Sequence, residues 1–405
     1  MTGLRYTATE VLRDRWWVGL GAFVVSLVAT PVLRAVAYRL RIVDRPDDLL
    51  KPHGRPVAYL GGVAMCIALL AGLGGYVAVM PRLAAHWSHL AQGLFGDRFG
   101  SLPTNPLWNT FGIALAAVVI TVVGLLDDLV GIPPRQKVAG QVLAAGILLM
   151  GGVGDRMATV VFRIFAVSAP QWLLVPLSIV MCLIAVIAAC NATNLLDGLD
   201  GLCGGVTGII ALGFLALAVW LAVWGRFPGT DELRVALCLA MAGAVFGFLP
   251  YNIPPASIFM GDAGSMLLGF FVATMMALFC QGGNARWFVA SLAVFALPIL
   301  DTALAVVRRI VSGRSIFAGD RSHLYDQLVD RGMTVKQVVV LFYLVAIVAA
   351  ILGVCLAVWV RGRYAVAVYA VLLVVIWGLF WKLRMIKPDA EDSGRRVSGG
   401  PVPHD

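Results

Sequence analysis

Long apolar blocks separated by short polar breaks run through the chain, and within them the hydrophobic positions are continuous rather than confined to one face. A helix that crosses a bilayer takes about 20 mostly apolar residues. Blocks of that kind predict spans at 16–38, 59–80, 108–126, 136–152, 171–190, 202–225, 233–249, 263–280, 286–307, 336–359 and 364–383. Each is expected to be helical, because lipid offers backbone polar groups no other partner. The blocks at 136–152 and 233–249 are short, with a partly re-entrant path as the alternative, so the expected count is ten or eleven. The first block follows Arg13 and Arg15, as a signal-peptide core would. Its apolar run exceeds the roughly 7–15 residues of such a core, and many spans follow, so it reads as the first spanning helix. The fold class is therefore all-α, a polytopic integral membrane protein, with no internal repeat. Residues 1–386 form one membrane domain, and the polar, Gly-, Ser- and Pro-containing residues 387–405 are expected to be a disordered cytosolic tail.

Composition sharpens this reading. Hydrophobic residues make up 60% of the chain and charged residues 13%, against roughly 25% charged in a soluble domain. The net charge of +9 comes mostly from Arg scattered through loops, with no nucleic-acid motif beside it. Nucleic acid is excluded as a partner, and the basic residues report topology instead. The loops at 39–58, 127–135, 191–201, 250–262 and 308–335, with the tail, hold the majority of the Lys and Arg residues. Basic loops face the cytosol. Cys66, Cys182, Cys190, Cys203, Cys238, Cys280 and Cys355 fall in or beside apolar blocks without a C-x-x-C pair. They read as small buried residues, not as a disulfide or zinc framework.

The same loops carry nearly all the polar clusters with chemical character, which points to one composite site at the cytosolic mouth. Asp127 and Asp128 end the third span in G-L-L-D-D-L. Adjacent carboxylates at a membrane edge repel each other and are costly to desolvate. On a helix they diverge by about 100°, so one would orient a metal while the other handles a proton, a solvated helix end being the plainer reading. Asn191, Asn194, Asp197 and Asp200 recur every third residue after the fifth span, more polar groups than a helix cap needs. Gly198 and Gly201 follow the two Asp residues and leave room for a ligand beside the backbone. Asp262, in F-M-G-D-A-G-S, opens the eighth span. A hard cation such as magnesium takes one or two carboxylates plus phosphate oxygens and water, and a helix N-terminus favours phosphate. Asn252 and Phe259 share that loop. Asp301 lies inside the ninth span, two turns from Arg308, with a structural pairing as the alternative to function. The loop beyond holds Arg314, Arg321 and His323, suited to diphosphate charge. No Walker loop, nucleophile elbow or H-E-x-x-H is present, which removes ATP-driven pumps and the common hydrolases.

The ordered set D-R-P…K-P-H-G-R-P…G-G, V-G-L-L-D-D-L, N-A-T-N-L-L-D-G-L-D-G-L and F-M-G-D-A-G-S, from about residue 44 to residue 335, resembles the polyprenyl-phosphate N-acetylhexosamine-1-phosphate transferases. These include the phospho-MurNAc-pentapeptide translocase and the GlcNAc-1-phosphate transferases that start cell-envelope polysaccharides. The resemblance implies a UDP-N-acetylhexosamine donor, most consistent with UDP-GlcNAc, and undecaprenyl phosphate as acceptor. It implies magnesium as cofactor, with manganese as the alternative ion, and a multi-pass protein of the inner (plasma) membrane with its active site on the cytoplasmic side. Asp262 matches the magnesium-binding Asp, and Asp127 and Asp128 match the catalytic pair, with Asp128 a second metal ligand. Asn194, Asp197, Asp200 and Phe259 are expected to bind the nucleotide, Asn252 and Lys137 the diphosphate, and Asn191 the substrate more generally. Lys51 and His53 match the first cytosolic motif, Arg314 and Arg321 would bind substrate, and His323 is a catalytic candidate. The translocase branch usually carries consecutive His residues here and the GlcNAc-1-phosphate branch His-x-His-His, whereas this chain reads His323-Leu324-Tyr325-Asp326. That disfavours the pentapeptide translocase and leaves the amino sugar open.

A secondary transporter is the rival from another class, but it would place ionisable residues near the midplane within repeats. An intramembrane aspartyl protease would have no use for the Asn residues. Oligomeric state stays open between a monomer and a homodimer through the outer spans.

Overall fold

The computed structural model describes residues 6–13, 15–44, 56–79, 106–224, 228–281, 285–313, 323–360, 362–383 and 385. Ten of the predicted blocks are single helices: α2 (Trp16–Leu40), α3 (Gly61–Val79), α4 (Pro106–Val130), α5 (Pro134–Met150), α7 (Gln171–Leu196), α8 (Leu202–Val223), α9 (Pro228–Asn252), α10 (Gly261–Cys280), α14 (Val335–Trp359) and α15 (Gly362–Lys382). Three short helices were not legible: α1 (Ala8–Arg13), α6 (Met157–Ile164) and α13 (Leu324–Asp330). The block at 286–307 is not one span. It divides into α11 (Ala285–Val294) and α12 (Ala296–Val311), bent by 70°. Pro298 explains the break, since its ring cannot coexist with a helical carbonyl four residues earlier, at Val294.

Eight helices among the described residues are long and apolar enough to cross a membrane, or nine if the bent pair is one span. The difference from the expected ten or eleven lies mainly in α5 and α15. At 17 residues, α5 is about 25 Å long. It still runs from one end of the bundle to the other. Lys137 in its first turn reaches Asp262, and the Met150 carbonyl at its end accepts from Trp108 Nε1 at 2.8 Å. The block at 233–249 is not re-entrant, because α9 continues unbroken to Asn252. The predicted tail lies outside the described residues.

The core is built around α10. Each of its residues except Asp262 is buried, and it packs against α3, α4 and α7. Apolar side chains gain little from one another inside lipid, so close backbone approach must hold such helices together. Glycines provide it here. A Cβ at Gly62 or Gly124 would overlap the α10 backbone at Ala263, and one at Gly269 would overlap Ala189 and Cys190 of α7. All seven Cys residues are free.

A feature absent from the hydropathy pattern pins the connection between α2 and α3. Strands β1 (Val43–Asp44) and β2 (Val57–Ala58) pair antiparallel, and Ala58 bridges to Ile258 in parallel. Phe259 N–H donates to the Ala58 carbonyl at 2.8 Å, and Gly61 N–H donates to the Phe259 carbonyl at 3.0 Å. The loop before α10 is thereby tied to the start of α3.

Candidate active site

The C-terminal ends of α4, α7 and α9 and the N-terminal ends of α5, α8 and α10 meet at one end of the bundle. Lys137 is the hub. Its ammonium lies between Asp127 Oδ2 and Asp262 Oδ2, the latter at 2.6 Å. Asn194 Nδ2 donates to the other oxygen of Asp262 at 2.7 Å and to Ser265 Oγ at 3.0 Å. Four sequence-predicted residues from four helices thus converge, and Lys137, Asp127 and Asp262 all keep some exposure to solvent. Asn191, one turn before Asn194, donates to Gln141 Oε1 at 3.1 Å and so ties α7 to α5.

The two members of the DD pair point apart, as the helical geometry requires, and do different things. Asp127 faces Lys137 and accepts from Ile132 N–H at 3.0 Å. Asp128 departs from the expected role of metal ligand. Its two oxygens accept from the backbone N–H groups of Asp262 (2.8 Å) and Ala263 (3.1 Å). It caps α10 from outside, meeting amides that have no partner within their own helix. Gly261 has φ +64, and a Cβ there would collide with the Asp128 carboxylate. Glycine allows both the backbone conformation and the approach.

The turn between α7 and α8 is held mainly through backbone atoms. Asn252 is 3% exposed. Its Oδ1 accepts from Gly201 N–H and its Nδ2 donates to the Ile258 carbonyl, both at 3.1 Å. That occupies the amide expected to contact diphosphate and makes Asn252 a structural bracket. Asp200 accepts from Ala256 N–H at 2.8 Å. Gly201 has φ +75, and its carbonyl accepts from the Tyr343 hydroxyl at 2.6 Å. The space beside Gly198 is not open to a ligand, because the Tyr325 ring fills it. Asp197 N–H donates to the Asn194 carbonyl at 3.2 Å, while its carboxylate forms no hydrogen bond or ion pair among the described residues. Burial pushes its carboxyl well above the usual carboxylate range, and Asp262, Asp128 and Asp200 add to the push.

His323 is 3% exposed, with Nδ1 2.9 Å from Asp301 Oδ2. The other oxygen of Asp301 accepts from Leu324 N–H at 2.8 Å. Both oxygens of Asp301 are thus taken by α13 and its cap residue, so the alternative pairing with Arg308 is not the one formed. Asp301 and His323 lock α12 to the start of α13. Phe259 is half-buried, its ring 6.1 Å from that of Tyr59. Lys51, His53, Arg314 and Arg321 lie outside the described residues.

Tyr59 and Tyr343 escaped the sequence reading, since aromatic residues in apolar surroundings carry no periodic signal, and Tyr325 was legible there only as a departure from the usual His pattern. Tyr325 and Tyr343 reach the α7–α8 turn. Tyr59 stands beside the acidic cluster, where burial and then Asp44 push its hydroxyl above its ordinary range, with smaller effects from Asp128 and Asp262. Among the described residues no group of three or more His, Cys, Asp or Glu converges as a ready-made metal cage. Magnesium takes one or two carboxylates while phosphate oxygens and water complete its shell, and Asp262, whose carboxylate already faces a cation at Lys137, offers such a ligand. The residues present fit that ion.

The glycosyl transferase family 4 profile matches residues 110–280, which contain the convergent cluster. The decaprenyl-phosphate N-acetylglucosaminephosphotransferase of Mycobacterium tuberculosis (strain CDC 1551 / Oshkosh) is 34% identical over 367 residues, covering 86% of this chain and 84% of its own. A probable undecaprenyl-phosphate N-acetylglucosaminyl 1-phosphate transferase of Bacillus subtilis is 27% identical, covering 83% and 84%. The phospho-N-acetylmuramoyl-pentapeptide-transferase of Geobacillus kaustophilus is 29% identical, covering 84% and 96%. The profile, these near-full-length relatives and the convergence of the motif residues at one end of the bundle agree: the chain belongs to glycosyl transferase family 4.

Proposed function

We propose that the protein transfers N-acetylglucosamine-1-phosphate from UDP-N-acetylglucosamine to a polyprenyl phosphate, giving a polyprenyl-diphosphate sugar and UMP. The observation that carries this reading is the convergence of Lys137, Asp127, Asp262 and Asn194 where four helix ends meet. Phosphoryl transfer asks a protein for positioning and charge neutralisation more than for covalent chemistry. That convergence supplies both. The site faces the cytosol of a plasma membrane, in line with the excess of Lys and Arg in the loops at that end.

A lipid-phosphate oxygen attacks the sugar-bearing phosphorus. The bond from that phosphorus to the bridging oxygen breaks, and UMP leaves with the electron pair. Asp127 holds the incoming phosphate in its ionised form, taking its proton when one is present. Asp262 would hold magnesium, which when bound neutralises the diphosphate and the departing UMP. Lys137 exchanges its contact with the carboxylates for diphosphate oxygens. Asn194 keeps Asp262 aimed by occupying one of its oxygens, and Asp128 fixes the α10 terminus that carries Asp262. Asp197 accepts from the nucleotide.

The test is UMP release by the purified protein with undecaprenyl phosphate and, separately, UDP-GlcNAc, UDP-GalNAc and UDP-MurNAc-pentapeptide. Release from UDP-GlcNAc that requires magnesium and disappears in Asp262→Asn is the expected result. Folded protein that releases UMP from none of the donors overturns the proposal.

A further inference from the structure

One aromatic side chain from beyond the family-matched region reaches the heart of the nucleotide turn. Tyr325 is 6% exposed and stacks on His323, with ring centroids 5.5 Å apart and planes 9° apart. His323 is itself fixed by Asp301. The Tyr325 hydroxyl donates to the Leu195 carbonyl at 3.1 Å. Leu195 lies in the last turn of α7, where carbonyls have no helical partner. The same ring fills the notch at Gly198, where a Cβ would overlap it. Asp197 lies between these two points of attachment, one helical turn beyond Asn194, which holds Asp262. Its own carboxylate has no partner among the described residues, so the backbone alone sets its direction.

We propose that Tyr325 is a positioning residue for donor binding: by capping α7 at Leu195 and occupying the notch at Gly198, it aims the Asp197 carboxylate at the nucleotide. This rests on the transferase reading above. A carboxylate that accepts from an imide or a hydroxyl is useful only when its lone pairs point at the donor group. The tyrosine thereby makes a residue of the C-terminal third part of the donor site without touching the donor.

The experiment measures donor KM, acceptor KM and kcat, together with calorimetric UDP binding in the absence of turnover. It compares wild type, Tyr325→Phe, Gly198→Ala, Asp197→Asn and the double variant Asp197→Asn/Tyr325→Phe. Tyr325→Phe keeps the ring and strands one partly buried carbonyl, so donor KM and the UDP dissociation constant are expected to rise about tenfold. Acceptor KM stays unchanged. Gly198→Ala, which displaces the ring while keeping the hydroxyl, is expected to give the same pattern. In the Asp197→Asn background, Tyr325→Phe adds nothing, because the residue through which it acts is already altered. An equal effect of Tyr325→Phe in both backgrounds, or a loss of kcat with donor KM untouched, overturns the proposal. Wild-type protein that binds UDP but releases no UMP defeats the transferase reading as well, and so is distinguishable from failure of this inference alone.

Discussion

The sharpest consequence of the site geometry concerns the two adjacent carboxylates, which the structure assigns to different tasks. Asp128 accepts from two backbone amides at the start of α10. Hydrogen bonds to charged groups are worth about 1.5–3 kcal/mol each, and an anion at a helix N-terminus adds about 0.3–1 kcal/mol. Asp128→Ala removes both bonds and leaves two amides without their partner, so a loss of about 3 kcal/mol is expected. Asp128→Asn keeps one acceptor but turns an NH2 group towards the second amide, for a loss of about 1.5 kcal/mol. Because the first capped amide belongs to Asp262, activity falls in step with stability. Asp127→Asn behaves differently. It removes a carboxylate that faces Lys137 and solvent, so activity collapses while stability changes little. Thermal unfolding of the detergent-purified proteins, followed by intrinsic fluorescence and set beside UMP release, separates the two patterns. Unchanged unfolding of Asp128→Asn with abolished turnover would refute the capping assignment and return Asp128 to direct chemistry.

Further expectations follow from the same contacts. Lys137→Met leaves Asp127 and Asp262 without their shared cation and is expected to lower kcat by about 10²–10³, the range seen when one electrostatic contact to developing charge is removed; steady-state UMP release measures it. Gly124→Ala forces a methyl group against the α10 backbone and is expected to cost about 1–3 kcal/mol, read as a lower unfolding temperature than that of Gly21→Ala, where nothing lies within 4 Å. Burial raises the Asp326 carboxyl from its ordinary 3.8 to about 6. The folded state then holds this proton more tightly than the unfolded state, so the contribution to stability is greatest below about 3.8 and declines as pH rises through about 6. Asp326→Asn, which can still accept from His323 N–H, is expected to flatten the stability profile between those values, checked by thermal unfolding across pH.

Hydropathy located the helices because lipid leaves the backbone no alternative. It failed where the chain departs from that single rule. The bend at Phe295 depends on Pro298 acting against a carbonyl one turn back, and apolar content continues through it unchanged. The convergence of Asp127, Lys137, Asn194 and Asp262 was legible because polar residues at alternate ends of successive spans must share one side. What each does was not. Asp128, Asn252 and Asp301 carry the residue types of a reactive site, yet Asp128 and Asn252 bond backbone groups, and Asp301 bonds the Leu324 amide and the His323 ring. Gly198 illustrates the same blindness: an open space for a ligand and a socket for Tyr325 leave identical traces in one dimension. Only the fold, which brings Tyr325 beside a turn 130 positions away, separates them.

The burial of every α10 residue but Asp262 has a consequence for how the protein is made. Its most extensive partners, α3, α4 and α7, precede it in the chain, while α11 follows it. During synthesis they stand in the bilayer with a slot that lipid must fill until residues 261–280 emerge. Arrival of that one helix expels the lipid, seats the glycine contacts and delivers Asp262 to Asp128, Lys137 and Asn194 in a single event. A chain that ends before α10 therefore lacks Asp262, and one that ends after it carries all four of Asp127, Lys137, Asn194 and Asp262.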